Sequence, residues 1–203
     1  METSRSKQRT LQMVQLAILL ALVIVLQLWG SNVKIGPTSF SLVLIPIVIG
    51  GILLGPRGGG LLGLAFGLIT LIAGITGTDA FTFILFQDHP VITALICLGK
   101  GLLAGLGAAW IFRLVEKKNK YAAVFAASAA APVINTGLFI LGALFLSDTL
   151  SANFVADGST VLYFLVIGCA GINFIIEFFV NLIVSPAIYR VITAISGRLG
   201  KES

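Results

Sequence analysis

Residues 41–67 read SLVLIPIVIGGILLGPRGGGLLGLAFG, two apolar runs joined by a short proline- and glycine-rich segment, with Arg57 as the one charged side chain. Because Pro and Gly interrupt helices, GPRGGG (55–60) predicts a tight turn. The runs on either side, about 40–55 and 60–76, are short for a hydrocarbon core that needs about 20 helical residues. The stretch therefore predicts two membrane helices joined by a turn.

The rest of the chain has the same character. It contains 203 residues, of which 58% are hydrophobic and 10% are charged, and its mean hydropathy is +1.07. Soluble domains carry about 25% charged residues. The missing charge leaves too little polar surface to cover a water-soluble globule, which predicts an all-α integral membrane protein.

Apolar blocks divide the chain into predicted membrane spans. The first follows a basic N-terminus as a signal peptide would, but its apolar run is too long for one and no small-residue cleavage site follows it, so we interpret it as a retained helix. No repeat or linker splits the chain, which predicts a single domain over 1–203. The expected fold is a compact bundle of six transmembrane helices at about 11–29, 40–55, 60–76, 91–113, 121–147 and 161–190.

Lys and Arg are distributed unevenly between the two sides of this bundle. Apart from Lys100, inside a span, only Lys34 falls on the side opposite the termini. The positive-inside rule therefore predicts cytoplasmic N and C termini in a cell membrane. Eleven basic residues lie on the terminal side: Arg5, Lys7, Arg9, Arg57, Arg113, Lys117, Lys118, Lys120, Arg190, Arg198 and Lys201.

Several functional classes lack their sequence signals. The basic residues lie at the ends of apolar blocks rather than in a patch with aromatics, which argues against nucleic-acid binding. No nucleotide-binding G-x-x-x-x-G-K-[ST] motif or H-E-x-x-H metal motif is present. Cys97 and Cys169 have no metal spacing. We expect no enzyme activity, no metal and no cofactor.

Small residues recur four apart on the third and fourth predicted spans. Gly59, Gly63 and Gly67 form one series, and Gly101, Gly105 and Ala109 form the other. Such stripes let membrane helices approach closely. We interpret them as packing surfaces within the bundle.

Polar side chains recur near mid-membrane on three predicted spans. Lys100, Asn135 and Asn173 lie about 14–18 Å from the outer ends of their spans at 1.5 Å per residue. Glu177 and Asn181 follow Asn173 at helical spacing on the same face. A pocket open to the outside is one interpretation, a structural ion pair of Lys100 with Glu177 is a second, and a proton pathway is a third.

The connection GTDAFTFILFQDHP (77–90) is unusually apolar for an exposed loop. Phe81, Phe83 and Phe86 would be unfavourably exposed in water. We expect the segment to fold back over the pocket as a lid or to lie in the membrane interface.

These residues resemble the substrate-binding S components of energy-coupling factor (ECF) transporters, in the branch for riboflavin, pantothenate and folate. The resemblance rests on the size, on AILLA (17–21) after a basic N-terminus, on the stretch 41–67, and on APVINTGLFILG (131–142). It covers nearly the whole chain.

The resemblance implies partners and a vitamin site. Ala17 and Ala21 would dock against a transmembrane T subunit, and two separate ATPase subunits would drive transport across a bacterial-type plasma membrane. The vitamin would lie in the outer half of the bundle. The substrate-binding positions would be Lys100, Asn135, Asn173 and Glu177, with Asn32, Phe86, Gln87, Asp88 and His89 in the outer loops.

An intramembrane cation favours a ligand with a carboxylate, and pantothenate is small enough for an aliphatic pocket lined by Leu, Ile and Val. We therefore expect pantothenate rather than riboflavin or folate. GLAFGLITLIAG (63–74) is also less polar than the resemblance would imply for a riboflavin binder. The alternative function is a self-sufficient secondary transporter of a small organic anion, in which Glu177 carries a coupling proton. That class is expected to show inverted repeats with broken helices.

Overall fold

The computed structural model describes residues 2–30, 34–35, 38–39 and 42–199, with side chains described over 8–30 and 42–194. Almost all of this part is helical. Two short strands, β1 (Lys34–Ile35) and β2 (Thr38–Ser39), pair antiparallel between the first two helices. The helices are α1 (Glu2–Gly30), α2 (Leu44–Leu53), α3 (Gly55–Thr76), α4 (Ala80–Asp88), α5 (Pro90–Val115), α6 (Lys120–Ala143), α7 (Ser147–Asn153), α8 (Val161–Tyr163) and α9 (Ile172–Leu199).

Two non-standard segments complete this order. A 3₁₀ turn, Leu144–Leu146, joins α6 to α7, and a π-helical segment, Phe164–Gly171, joins α8 to α9. With these joints, the fifth and sixth predicted spans become long, nearly continuous helical rods. Five described helical stretches are long and apolar enough to cross a membrane: Gln8–Gly30, Gly55–Thr76, Pro90–Val115, Lys120–Asn153 and Val161–Ala194.

The second predicted span is shorter than expected. It is the ten-residue helix α2, about 15 Å long at 1.5 Å per residue, which is half of a ~30 Å hydrocarbon core. The membrane character and the helical fold are confirmed, whereas a sixth full crossing and the cytoplasmic placement of the termini stay predictions.

The turn between α2 and α3 is tighter than the sequence indicated. The chain reverses at Leu54 and Gly55, where Gly55 has a φ of +74°, and residues 56–60 already belong to α3. The prediction of a turn over 55–60 was wrong because Gly58 and Gly59 face other backbones rather than forming a loop. A Cβ on Gly59 would lie 2.6 Å from Gly105 O and 2.8 Å from Gly51 Cα.

The glycine stripes make the interface between α3 and α5. A Cβ on Gly63 would collide with Gly101 O, and a Cβ on Gly101 would collide with Gly63 O. The same reciprocal relation joins Gly59 and Gly105. The predicted close packing is therefore confirmed, and α5 is held at a fixed depth against α3. This contact positions Lys100, the residue immediately before Gly101.

Candidate functional site

A cavity opens between α5, α6 and the first half of the last membrane helix. The empty space inside it, including its open mouth, is about 410 Å³. The walls of the cavity are formed by Lys100, Asn135, Thr136, Phe139, Cys169, Ala170, Asn173, Phe174 and Glu177.

Lys100 supplies the positive charge in this wall. Its Nζ lies 5.6 Å from the ring centre of Phe66 on α3 and 5.3 Å from that of Phe139 on α6. Such cation–π contacts stabilise by about 0.5–2 kcal/mol, depending on desolvation. The two rings hold the ammonium in place from two helices. An ammonium group has three N–H donors and no acceptor, so it favours an anionic or carbonyl oxygen.

Asn135 presents a buried acceptor on the facing helix α6. Its side chain is 8% exposed, and Oδ1 has no hydrogen-bond partner among the described residues. A buried oxygen left unpaired costs about 1–3 kcal/mol. A ligand N–H or O–H group that reached this atom would recover that free energy.

Asn173 and Glu177 lie one turn apart on α9 and are 7% and 6% exposed. Asn173 Nδ2 donates to Cys169 O at 3.3 Å, and Asn181 Nδ2 donates to Glu177 O at 2.8 Å. Side-chain bonds to the carbonyl four residues earlier fix the orientation of polar groups along a helix. This face of α9 therefore presents an oriented amide, Asn173, and an acid, Glu177, to the cavity.

The π-helical segment Phe164–Gly171 forms part of the same wall. Cys169 and Ala170 come from it. Wider helical turns are rare and are often found at functional sites. The apolar composition of 161–171 contains no signal that separates a π-helix from the ordinary helix expected there.

Helix α4 lies beside the cavity, at the end of the bundle where α3 ends and α5 begins. Phe81 is 4% exposed, and its ring centre lies 6.0 Å from that of Phe139 and 5.0 Å from that of Phe154. Thr93 Oγ1 donates to Leu85 O at 2.9 Å, which ties α4 to the start of α5. Because Phe139 also contacts Lys100, one aromatic ring connects this outer helix with the charged wall of the cavity.

A comparison with known protein families identifies the family of this chain. The family model of the ECF transporter substrate-specific component matches residues 11–189, a range that contains every residue of the cavity wall. The chain belongs to this family. The resemblance found in the sequence is thereby confirmed, and the family is one of transporter components rather than enzymes.

A curated relative of this S component is the pantothenic acid transporter PanT of Lactococcus lactis subsp. cremoris (strain MG1363). It is 38% identical over 80 residues, which cover 38% of the present chain and 41% of PanT. The matched stretch thus spans less than half of the relative. The comparison bears on kinship with a vitamin transporter, while the ligand of the present S component is a separate question.

The predicted site residues of the S component fall into three groups. Lys100, Asn135, Asn173 and Glu177 come from three helices and line one cavity. In the outer connection, Phe86 and His89 are half-buried, Gln87 and Asp88 are exposed, and none of the four lines this cavity. Asn32 lies outside the described residues. The role of all these side chains in binding stays a prediction.

Sequence reasoning missed five wall residues that helical spacing could have indicated, and one of them is Cys169, four residues before Asn173. Thr136 follows Asn135 directly, and Phe139 lies four residues after it. Phe174 follows Asn173, and Ala170 lies four residues before Phe174. Side chains three or four apart share a helix face. Extending the polar positions along their own faces would have found the apolar and aromatic part of the wall.

Proposed function

We propose that this S component binds pantothenate in the cavity and delivers it for uptake, with riboflavin and folate as poorer ligands. The observation that carries the proposal is the pairing of a cation with several acceptors in one small cavity. Lys100 favours a carboxylate, whereas Glu177 and Asn135 Oδ1 favour N–H and O–H donors. Pantothenate has a carboxylate at one end and two hydroxyl groups at the other, with an amide between them.

The apolar part of the wall supports the same ligand class. Phe139, Phe174 and Ala170 offer aromatic and aliphatic surface between the polar groups. Pantothenate carries a dimethyl-substituted carbon near its hydroxyl groups, which this surface would remove from water. Riboflavin has no carboxylate for Lys100, and folate has a much larger ring system. The kinship with PanT agrees with this choice.

A panel of ligands tests the proposed substrate. Isothermal titration of the purified full chain in detergent is expected to rank pantothenate above riboflavin and folate. The matched control is pantothenol, which has an alcohol in place of the carboxylate. Since a charged hydrogen bond contributes about 1.5–3 kcal/mol, pantothenol is expected to bind about 10- to 150-fold more weakly. Equal affinity for the two compounds would contradict a carboxylate contact.

The proposed transport cycle depends on other chains. Ala17 and Ala21 lie one turn apart on α1, and both are exposed. Such a strip accepts the close approach of another helix, which supports docking of a T subunit there, with two ATPase subunits attached to it. We place this assembly in the plasma membrane, with 1–203 as one membrane domain and with cytoplasmic termini.

Bulky substitution of the α1 strip separates binding from transport. In Ala17→Leu/Ala21→Leu, uptake by cells that contain the T and ATPase subunits is expected to disappear, because the added side chains hold the helices apart. Pantothenate affinity of the purified variant is expected to be unchanged, because α1 does not line the cavity. The alternative of a self-sufficient proton-coupled transporter predicts uptake into liposomes by the chain alone under a pH gradient, and that result would contradict the proposal.

A further inference from the structure

The α6–α9 interface on the inner side of the cavity contains buried oxygens without donors. Ser128 on α6 is 0% exposed, and Asn181 on α9 is 1% exposed. Among the described residues, Ser128 Oγ and Asn181 Oδ1 have no hydrogen-bond partner. Roughly 90% or more of buried polar groups in proteins do have one, from protein or from ordered water. These two atoms therefore require a partner.

The register of α6 and α9 puts Ser128 and Asn181 at about the same depth. The antiparallel register is marked at one end by the rings of Tyr121 and Tyr189, whose centres are 5.2 Å apart, and toward the other by the cavity that Asn135 and Asn173 both line. Ser128 is midway between the two markers on α6, and Asn181 is midway between the two on α9. The distance to each marker is about two helical turns, which returns a side chain close to the same face.

A third acceptor lies at this point because α6 contains Pro132. Proline has no backbone N–H, so the carbonyl four residues earlier loses its helical donor. That carbonyl belongs to Ser128. Both Ser128 and Pro132 are buried. Ser128 thus has a hydroxyl oxygen without a partner among the described residues and a carbonyl without its usual helical donor.

We propose that an ordered water molecule binds between α6 and α9 at Ser128 and Asn181. A buried water needs two to four polar partners. This one donates to Asn181 Oδ1 and to the carbonyl of Ser128, and it accepts the hydroxyl proton of Ser128. Both protons of the water and the hydroxyl proton of Ser128 are then used. Neither residue lines the cavity, so the water site is separate from the proposed substrate site.

The position of this water gives it a mechanical role. The water replaces the hydrogen bond that Pro132 removes from α6. It also joins α6 to α9 at a point five residues before Pro186, the proline inside α9. Both helices are joined where their own hydrogen bonding is incomplete. The cavity-lining parts of α6 and α9 all lie on the outer side of this junction.

A double-mutant cycle tests the water site in the full chain. Thermal unfolding in detergent is measured for Ser128→Ala, Asn181→Leu and the double variant. Each single change leaves an unsatisfied partner and lowers the Tm, whereas the double change removes both side-chain oxygens, so its loss is smaller than the two single losses together. The control pair is Ser128→Ala with Ser185→Ala. Ser185 Oγ already donates to Asn181 O at 2.9 Å, so those two losses should add. Additive losses in the Ser128–Asn181 pair would overturn the proposal.

A crystal structure of the unaltered chain in lipid, at a resolution that shows waters, keeps the test independent of whether variants fold. The expected result is density within about 3 Å of both Ser128 Oγ and Asn181 Oδ1. A direct bond between the two side chains, or an empty gap, would overturn the proposal. So would a Tm that rises with Na⁺ but not with K⁺, because the density would then belong to a cation.

Discussion

The α3–α5 interface and the α6–α9 interface are both made by antiparallel helices, but different kinds of residues form the two contacts. In the first, glycines bring backbone against backbone, and the carbonyls of Gly63 and Gly101 each occupy the space of the other's missing Cβ. In the second, polar side chains and a cavity separate the helices.

The difference shows how one small membrane protein combines a closely packed part with the part that contains the proposed binding site, called the binding part below. Lipid gives no hydrophobic driving force between helices, so close packing is the main source of association. In the α3–α5 interface the glycines allow this close packing. The α6–α9 interface has less of it, and acceptors such as Asn135 Oδ1 stay available there. Lys100 lies at the boundary, since the glycine contact sets its depth while its ammonium faces the cavity.

The largest expected effect on stability comes from adding a methyl group to the glycine interface between α3 and α5. Gly63→Ala is expected to destabilise the chain by about 3 kcal/mol or more, because the overlap is with backbone that cannot rotate away. The measurement is thermal or denaturant unfolding in detergent. The matched control is Gly137→Ala on α6, where a Cβ meets nothing within 4 Å, and which is expected to be neutral or stabilising by up to about 1 kcal/mol. Equal losses in the two variants would show that the close contact does not matter.

Removing the cation is expected to have a smaller effect on folding and a large one on ligand binding. Lys100→Met keeps the length of the side chain and removes a charged hydrogen bond worth about 1.5–3 kcal/mol. Pantothenate affinity, measured by titration, should fall about 10- to 150-fold.

The competing explanation for Lys100 is a structural ion pair with Glu177. That explanation predicts that Lys100→Met lowers the Tm sharply, that adding Glu177→Gln restores it, and that ligand affinity of the single variant is unchanged. This pattern would make the lysine part of the scaffold rather than of the binding part.

The smallest expected effect concerns the outer helix α4. Phe81→Ala removes the ring that supports Phe139, and aromatic pairs contribute about 0.5–1.5 kcal/mol beyond burial. The ligand dissociation rate, followed by stopped-flow, should rise about 2- to 10-fold, since affinity changes fall mostly on dissociation. Phe86→Ala is the matched comparison, because Phe86 is half-buried and does not line the cavity. A larger increase of the dissociation rate in Phe86→Ala would show that Phe86, a binding position predicted from the sequence, is the residue that covers the cavity.

Much of the binding part follows from local sequence patterns. Lys100, Asn135, Asn173 and Glu177 were placed together because depth in a membrane span is a simple count of residues, and because residues four apart share a helix face. The aromatic contacts of Lys100 with Phe66 and Phe139 did not follow. These contacts depend on how far α3 and α6 are rotated about their axes toward α5, and a hydropathy pattern does not predict that rotation.

The sequence by itself determined the membrane environment, the helical class, the family and the small-residue stripes, because hydropathy and helical periodicity are properties of each segment alone. Only the tertiary structure decided that α2 has ten residues, that Phe81 rather than Phe86 reaches the wall of the cavity, and that a π-helix forms part of that wall. Each of these depends on contacts between segments distant in the chain. A local hydropathy pattern does not distinguish one apolar side chain from another, but only some of these side chains fit the space that neighbouring helices leave.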